Sequence, residues 1–201
     1  MAPDDALVAT PTSEMTPQQL ERRRRILDAA TQLASRGGFD GVQMRTVAQD
    51  AGVALGTLYR YFASKIHLLV ALAHDRTELL GERLARRPLT GDDPIERATT
   101  LLLTATRALQ RDPSLTEAML RALMIADASA AADVHRVDEL VTRMIVDAVH
   151  GPGADLTADD AQRARVLEMV WLSSLLSWLS GRASSNDVDR DLRTAAELIL
   201  R

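Results

Sequence analysis

The sequence of 201 residues contains no cysteine and few aromatic residues. Without cysteine, the chain forms neither disulfide bonds nor thiolate metal sites, which agrees with a reducing cytosol. Aromatic residues make up 3% of the chain, so the core is expected to be aliphatic. No apolar run reaches the ~18 residues that indicate a membrane span, and the polar, acidic start lacks the pattern of a secretory signal. We therefore expect a cytoplasmic protein.

The common catalytic and metal-binding signatures are also missing from the sequence. It contains no Ser-x-x-Lys, no Gly-x-Ser-x-Gly and no glycine-rich phosphate loop. His67 and His74 share a helix face, but two turns of helix separate them by ~10 Å, which is too far for one zinc ion without a third ligand between them. We therefore expect neither an enzyme nor a metal site nor a bound cofactor.

The net charge of −4 conceals an uneven distribution. Residues 1–67 hold eight basic and seven acidic side chains, whereas residues 68–201 hold sixteen basic and twenty-one acidic ones. Residues 18–67 alone hold eight basic against four acidic side chains, a net charge of +4. A positive N-terminal segment favours binding to a nucleic-acid backbone, and part of the Arg22–Arg25 run is expected to contact phosphate.

Helical periodicity recurs along the chain, and no segment shows the alternation of period two that marks a strand. Thr16-Pro17 predicts the start of a first helix and Gly37-Gly38 its end. Ser64 can cap a long helix that runs toward Arg87, and residues 88–94 have loop composition. Five more helices are predicted at residues 95–111, 114–126, 130–149, 158–182 and 186–200. The fold is therefore predicted to be all-α, with about nine helices.

Residues 43–65 have the pattern of two short helices around a tight turn. Small apolar residues share one face of the first helix, and Gly52 ends it because glycine takes a positive φ without steric cost. The second helix begins near Ala54, with Leu58 turned inward. Two short helices around such a turn form a helix-turn-helix, whose second helix fits the major groove of DNA.

The side chains expected to contact DNA lie on and beside this second helix. Thr57, on its exposed face, can reach a base edge, and Gly56 lets the backbone approach the groove floor. Tyr59 and Tyr61 point to different faces, and both hydroxyls are expected to reach phosphates or bases, although one tyrosine could be purely structural. Lys65 combines a charge with the free N–H groups of a helix start, which suits a phosphate. The complete predicted set is Gln43, Arg45, Leu55, Gly56, Thr57, Tyr59, Arg60, Tyr61 and Lys65. Of these, Arg60 is explained equally well as a solvated arginine and as a DNA contact.

The segments RILDAATQLASRGGFDGV and TVAQDAGVALGTLYRYFASK resemble the TetR family of one-component transcriptional regulators, with the motif T-x-Y-x-Y-F-x-S-K at fixed spacing. The resemblance implies an all-helical homodimer whose helices 4 to 7 enclose a ligand pocket and whose helices 8 and 9 form the dimer interface. It also implies a helix-turn-helix domain at residues 17–64 and a larger ligand-binding and dimerisation domain at 65–201, and the polar, acidic composition of the start predicts a disordered arm at residues 1–16. Many members carry a serine where this chain has Ala54, so one phosphate-binding hydroxyl is missing.

Three longer segments, among them LTEAMLRALMIADASAA and VWLSSLLSWLSGRASSNDV, are similar to one group within this family, the repressors of sterol-catabolism genes. This similarity implies a homodimer bound to inverted-repeat operator DNA and an inducer that is a sterol-derived acyl-CoA thioester. The apolar residues considered for the ligand pocket are Leu101, Leu102, Met119, Leu123, Met124, Met144, Met169, Trp171, Leu175 and Trp178. Methionines of this kind more often fill gaps in a core, and the two tryptophans could equally line the pocket or the dimer seam.

A rival hypothesis is a helical acyl-CoA or lipid carrier, or a hydrolase, whose N-terminal helices serve only for packing. A packing-only segment would not need an exposed threonine and two exposed tyrosines, which favours the DNA-binding interpretation. A TetR-type repressor that answers to a different hydrophobic ligand is the nearer alternative.

Overall fold

The structure is a computed structural model that describes residues 15–86, 89, 91 and 93–201. This part of the chain folds into nine helices without a strand, which confirms the predicted all-α class. The helices are α1 (Pro17–Gly41), α2 (Met44–Asp50), α3 (Leu55–Tyr61), α4 (Lys65–Arg86), α5 (Pro94–Gln110), α6 (Pro113–Ile125), α7 (Ala131–His150), α8 (Ala158–Leu179) and α9 (Ser185–Leu200). The arm predicted at residues 1–16 lies outside the described residues except for its last two. No helix among the described residues is long and apolar enough to cross a membrane.

Local capping interactions explain where the helices begin. Thr16 accepts a hydrogen bond from the Gln19 N–H at 3.3 Å, and the Gln19 side chain accepts one from the Thr16 N–H at 2.7 Å. This reciprocal capping box satisfies two backbone donors that a helix start otherwise leaves unpaired. Ser184 and Asp187 repeat the arrangement at the start of α9. The starts of α1 and α9 are therefore set by side chains three positions apart in the sequence.

The described residues form two compact units. The first contains the chain up to Leu72 together with Ser114–Asp133, and the second contains Ala73–Pro113 with Val134–Arg201. Most of α6 therefore groups with the helix-turn-helix, and the division falls within α4 rather than at residue 64. The domain boundaries drawn from the sequence, at 17–64 and 65–201, remain a prediction about function.

Each unit has its own aliphatic core, as the low aromatic content predicts. The side chains that are almost completely buried in the first unit are Ile26, Val42, Val47, Leu58, Leu68, Leu69 and Leu72. Those in the second unit are Leu102, Ile145, Leu167, Leu175 and Leu192. Among the described residues, Trp171 is the one buried aromatic side chain with a polar group. Its Nε1–H donates to Thr106 Oγ1 at 2.9 Å. This bond satisfies the indole N–H inside the second unit and fixes the ring between α5 and α8.

An arginine supports the end of α7 within the second unit. Arg97 on α5 donates from Nε to the Ala148 carbonyl at 2.8 Å and from Nη2 to the Val149 carbonyl at 2.7 Å. The last carbonyls of a helix have no partner within the helix, and a cation is favourable at this end of its dipole. Arg97 therefore terminates α7 and joins it to α5.

Glu168 on α8 is an acidic side chain in the core of the second unit, only 7% exposed. Burial and, to a smaller extent, the nearby carboxylate of Asp138 on α7 raise the pKa of its carboxyl to about 8. The pKa of Asp138 is itself raised, chiefly by burial. The second unit thus carries an acid that stays largely neutral in the folded protein at pH 7, because burial disfavours its ionised form.

This burial predicts a pH-dependent stability. Between the unfolded pKa near 4.5 and the folded pKa of about 8, the folded state binds more protons, so stability falls as pH rises. Glu168→Gln should flatten this fall and stabilise the protein at pH 8 by at most about 5 kcal/mol. Urea titrations at several pH values measure the effect. Glu197→Gln, at an exposed position of α9, should leave the pH profile unchanged, and an unchanged profile in Glu168→Gln would contradict the assignment.

Candidate DNA-binding interface

The helix-turn-helix is built around the turn between α2 and α3. Gly52 has a φ of 63°, the left-handed conformation that the sequence predicts at this position. Its N–H donates to the Gln49 carbonyl at 3.1 Å, and the Val53 N–H donates to the Ala48 carbonyl at 2.9 Å. Leu58 is completely buried on the inner face of α3. These contacts fix the angle at which α3 leaves the turn.

Arg25 anchors the same turn from α1. Its Nη1 donates to the Ala51 carbonyl at 3.1 Å, which satisfies an end carbonyl of α2. The sequence offered this arginine only as part of a basic run, because the contact joins residues 26 positions apart. Arg25 is thus a structural residue that sequence reasoning missed.

The other arginines of the Arg22–Arg25 run are not equivalent. The Arg23 guanidinium lies 5.8 Å from the centroid of the Phe62 ring, and Arg24 forms a 3.0 Å ion pair with Glu21. The pair with Glu21 offsets the charge of Arg24, whereas the carbonyl bonded to Arg25 leaves that arginine positive. Part of the run therefore faces the protein, and the net charge of +4 over residues 18–67 still favours a phosphate backbone.

The nine predicted DNA contacts differ in exposure. The exposed ones are Gln43, Arg45, Gly56, Tyr59 and Arg60, and the half-buried ones are Leu55, Thr57, Tyr61 and Lys65. Tyr59 and Tyr61 thus differ in environment, as residues two positions apart on a helix should. Thr57 is more enclosed than the exposed position predicted for it. Ala54 begins α3 without a side-chain capping bond, so the missing serine leaves the first N–H groups of α3 available.

Lys65 contacts the protein as well as facing solvent. Its ammonium lies 4.0 Å from the centroid of the Phe39 ring. Burial lowers the pKa of the ammonium, an effect that nearby Arg121 adds to and that Asp40 and Glu117 oppose. The Phe39 ring therefore holds a cation beside the helix-turn-helix. The sequence gives no signal for Glu117 or Arg121, which lie far away on α6.

His67 also makes a contact with a distant segment of the chain. Its Nδ1 lies 2.9 Å from Ser64 Oγ at the start of α4, and its Nε2 lies 3.2 Å from the Ser129 carbonyl. Both nitrogens of the ring have protein partners, which suits a structural role. Within the described residues, no three histidine or acidic side chains are grouped to hold a metal ion.

The ten predicted ligand-pocket residues are divided between the two units. Met119, Leu123 and Met124 lie on α6 in the first unit, and the other seven belong to the second. Leu101, Leu102, Met119, Trp171 and Leu175 are buried, and Leu123, Met144 and Trp178 are half-buried. Met124 and Met169 are 63% and 60% exposed.

The second unit contains a pocket of about 250 Å³ between α7, α8 and α9. Ile145, Val149 and Leu200 line it with apolar surface, and His150 and Arg163 lie at its polar side. None of the ten predicted residues lines this pocket. Its volume is below the ~300–1,000 Å³ typical of sites for drug-sized ligands, so it does not match a large thioester.

The comparison with known proteins identifies the class of protein. Residues 26–72 match the model of the bacterial regulatory proteins of the tetR family, and residues 91–199 match the model of the tetracyclin repressor-like C-terminal domain. The second match alone covers more than half of the chain. The chain belongs to the TetR family of DNA-binding transcriptional regulators.

Its relatives narrow the class to a repressor. The HTH-type transcriptional repressor KstR of Rhodococcus jostii (strain RHA1) is 50% identical over 182 residues, which cover 90% of this chain and 84% of the relative. KstR of Mycobacterium tuberculosis (strain ATCC 25618 / H37Rv) is 46% identical, with 90% and 82% covered. The crystal structure of a TetR transcriptional regulator from Rhodococcus sp. RHA1 matches with a TM-score of 0.80 and 36% identity, covering 92% of this chain and 98% of that one.

A more distant structure shares the fold. FadR of Thermus thermophilus, a TetR-family transcriptional repressor in complex with lauroyl-CoA, matches with a TM-score of 0.69 and 23% identity. The match covers 89% of this chain and 93% of that one. The protein is thus a TetR-type transcriptional repressor similar to KstR, and the predicted resemblance is confirmed.

Two glycines of the helix-turn-helix should respond in opposite ways to alanine. Gly52→Ala places a side chain at a φ of 63° and should cost about 1 kcal/mol of stability. Gly56→Ala meets no atom within 4 Å and should stabilise α3 by about 0.5–1 kcal/mol. Thermal denaturation of the two variants measures the difference. Equal melting temperatures would contradict the turn geometry.

Proposed function

We propose that this protein is a ligand-responsive repressor of sterol- or lipid-catabolism genes. It binds an inverted-repeat operator as a homodimer in the cytoplasm and is released by a sterol-derived acyl-CoA thioester. The observation that carries the proposal is the extent of the similarity to KstR repressors, which spans 90% of the chain and therefore includes both the DNA-binding and the C-terminal segments.

The DNA-binding part of the proposal rests on the surface of α3 and its flanks. The exposed Tyr59 and the half-buried Tyr61 and Thr57 present hydroxyl groups that can bind phosphates and base edges. Gly56 has open space around it, so that the backbone of α3 can approach the groove floor. Two copies of α3, one per subunit, would read half-sites about one helical turn apart.

The proposed acyl-CoA ligand is supported by a protein of the same fold and by the apolar side chains of the second unit. The FadR protein of T. thermophilus, which shares this fold, binds lauroyl-CoA, so the architecture accommodates an acyl-CoA in at least that protein. Within the second unit, the proposed wall keeps the buried and half-buried members of the predicted set and omits Met169, because it is exposed to solvent. Flexible methionine and leucine side chains suit a long apolar ligand. Release from DNA requires that the thioester bind the non-operator-binding state more tightly.

The dimer part rests on apolar side chains that face solvent on the last two helices. Met169 on α8 is 60% exposed and Leu198 on α9 is 75% exposed. An exposed apolar surface on these two helices would serve as an association surface, and a two-fold axis would use it once on each subunit. Trp171 belongs to the interior because its N–H is bonded to Thr106, so we assign it to the ligand-binding side rather than the dimer seam.

Operator binding tests the function directly. The intact protein should shift a promoter fragment from a sterol-catabolism cluster, and a sterol-derived acyl-CoA should release it, whereas free CoA should not. Tyr61→Phe should weaken binding roughly three- to tenfold through the loss of one hydrogen bond. Gly56→Ala should also weaken binding although it stabilises the fold. Binding that ignores the thioester would reject the inducer, and turnover of the thioester would favour the hydrolase hypothesis.

The dimer interface has its own test. Leu198→Glu places a charge on the exposed apolar surface of α9 and should convert the dimer to a monomer without loss of helix content, because the side chain makes little contact within its own subunit. Sedimentation equilibrium measures the mass, with Glu197→Leu, at the neighbouring exposed position, as the matched control. A Leu198→Glu variant that remains dimeric would show that the dimer interface lies elsewhere.

A further inference from the structure

Lys65 is the only lysine in the sequence, and the structure places its ammonium 4.0 Å from the centre of the Phe39 ring. Cations are attracted to the face of an aromatic ring. A lysine side chain otherwise moves freely about four bonds and loses that freedom when it binds a partner. A contact that fixes its position beforehand reduces this loss.

Phe39 is itself held by α6. Its N–H donates to Glu117 Oε2 at 2.8 Å, and the Arg121 guanidinium carbon lies 4.5 Å from the centre of its ring. Arg121 is in turn oriented by Asp40, at 3.0 Å, and by Glu117, at 3.5 Å. We call these five residues, Phe39, Asp40, Lys65, Glu117 and Arg121, the Phe39 clasp.

The backbone next to the clasp is shaped to admit the carboxylate. Gly38 has a φ of 59°, and a Cβ at this position would lie 2.7 Å from Glu117 Oε2. Any residue other than glycine would therefore be strained and would also collide with the carboxylate. Two features of the backbone thus favour the position of the Glu117 carboxylate: the N–H donor of Phe39 and the space left at Gly38.

We propose that Glu117 and Arg121 of α6 are positioning residues for DNA binding: they fix the Phe39 ring, which holds the Lys65 ammonium ready for an operator phosphate. The proposal rests on the proposed function, because it requires Lys65 to contact DNA. Neither α6 residue needs to touch DNA itself. The clasp places part of the operator-binding apparatus outside the helix-turn-helix segment, at residues that no local motif marks.

A double-mutant cycle tests the coupling. Operator affinity is measured across salt concentrations for Lys65→Gln, Arg121→Gln and the double variant. Lys65→Gln should reduce the slope of log affinity against log salt by about one. Arg121→Gln should lower the affinity in the presence of Lys65 and have no further effect in its absence. Additive losses would overturn the positioning role, since a merely structural role acts equally in both backgrounds.

The outcomes separate this proposal from the proposed function. A slope that changes in Lys65→Gln while Arg121→Gln binds like wild type rejects the positioning role and leaves the phosphate contact standing. Operator binding with an unchanged slope in Lys65→Gln rejects the contact and the positioning role together. Absence of operator binding by the wild-type protein rejects the proposed function itself.

A spectroscopic measurement tests the geometry without DNA. Reductive ¹³C-methylation labels Lys65 as the one lysine signal of the intact protein and keeps its charge. The Phe39 ring current should shift this signal upfield, and Phe39→Leu should abolish the shift. Arg121→Gln and Glu117→Ala should reduce it, whereas Arg36→Gln, which removes an exposed arginine from α1, should not. Wild-type shifts in both α6 variants would overturn the proposal.

Discussion

The hydrogen bond from the Phe39 N–H to the Glu117 carboxylate determines which part of the chain supports the DNA-binding surface. It joins residues 78 positions apart and brings α6 into the same unit as the helix-turn-helix. Three helices, two of only seven residues, bury a small core, and short helices are marginal without tertiary support. Polar contacts of Glu117, Arg121 and His67 supply that support from outside the motif.

The parts that could be predicted from the sequence are those governed by neighbouring residues. Helix ends are fixed by local contacts at Thr16-Pro17, Gly52 and Ser64, so that the predicted helices agree with the observed ones to within a few residues. The end of α8 is an example of the error: it was expected at residue 182 but lies at Leu179, where the turn leading to Gly181 begins. The inward position of Leu58 follows from helical periodicity and is also confirmed.

The parts that could not be predicted depend on contacts between distant segments. Nothing near Lys65 indicates that Phe39 lies under its ammonium, and nothing near Arg25 indicates the Ala51 carbonyl. The apolar character of Met124 and Met169 suggested an interior position, but a methionine on a helix gives no sign of which face is covered. Glu168 is the converse case, because an acidic residue is usually solvated and its burial is visible only in three dimensions.

The two units differ in the fluorophores they carry. Both tryptophans, Trp171 and Trp178, lie in the second unit, and both tyrosines, Tyr59 and Tyr61, lie in the first. Trp171 is enclosed, with its indole N–H bonded to Thr106, whereas Tyr59 faces solvent. Light at wavelengths that excite indole alone therefore addresses the second unit, and tyrosine emission originates in the first. The native chain contains separate optical labels for its two halves without any added dye.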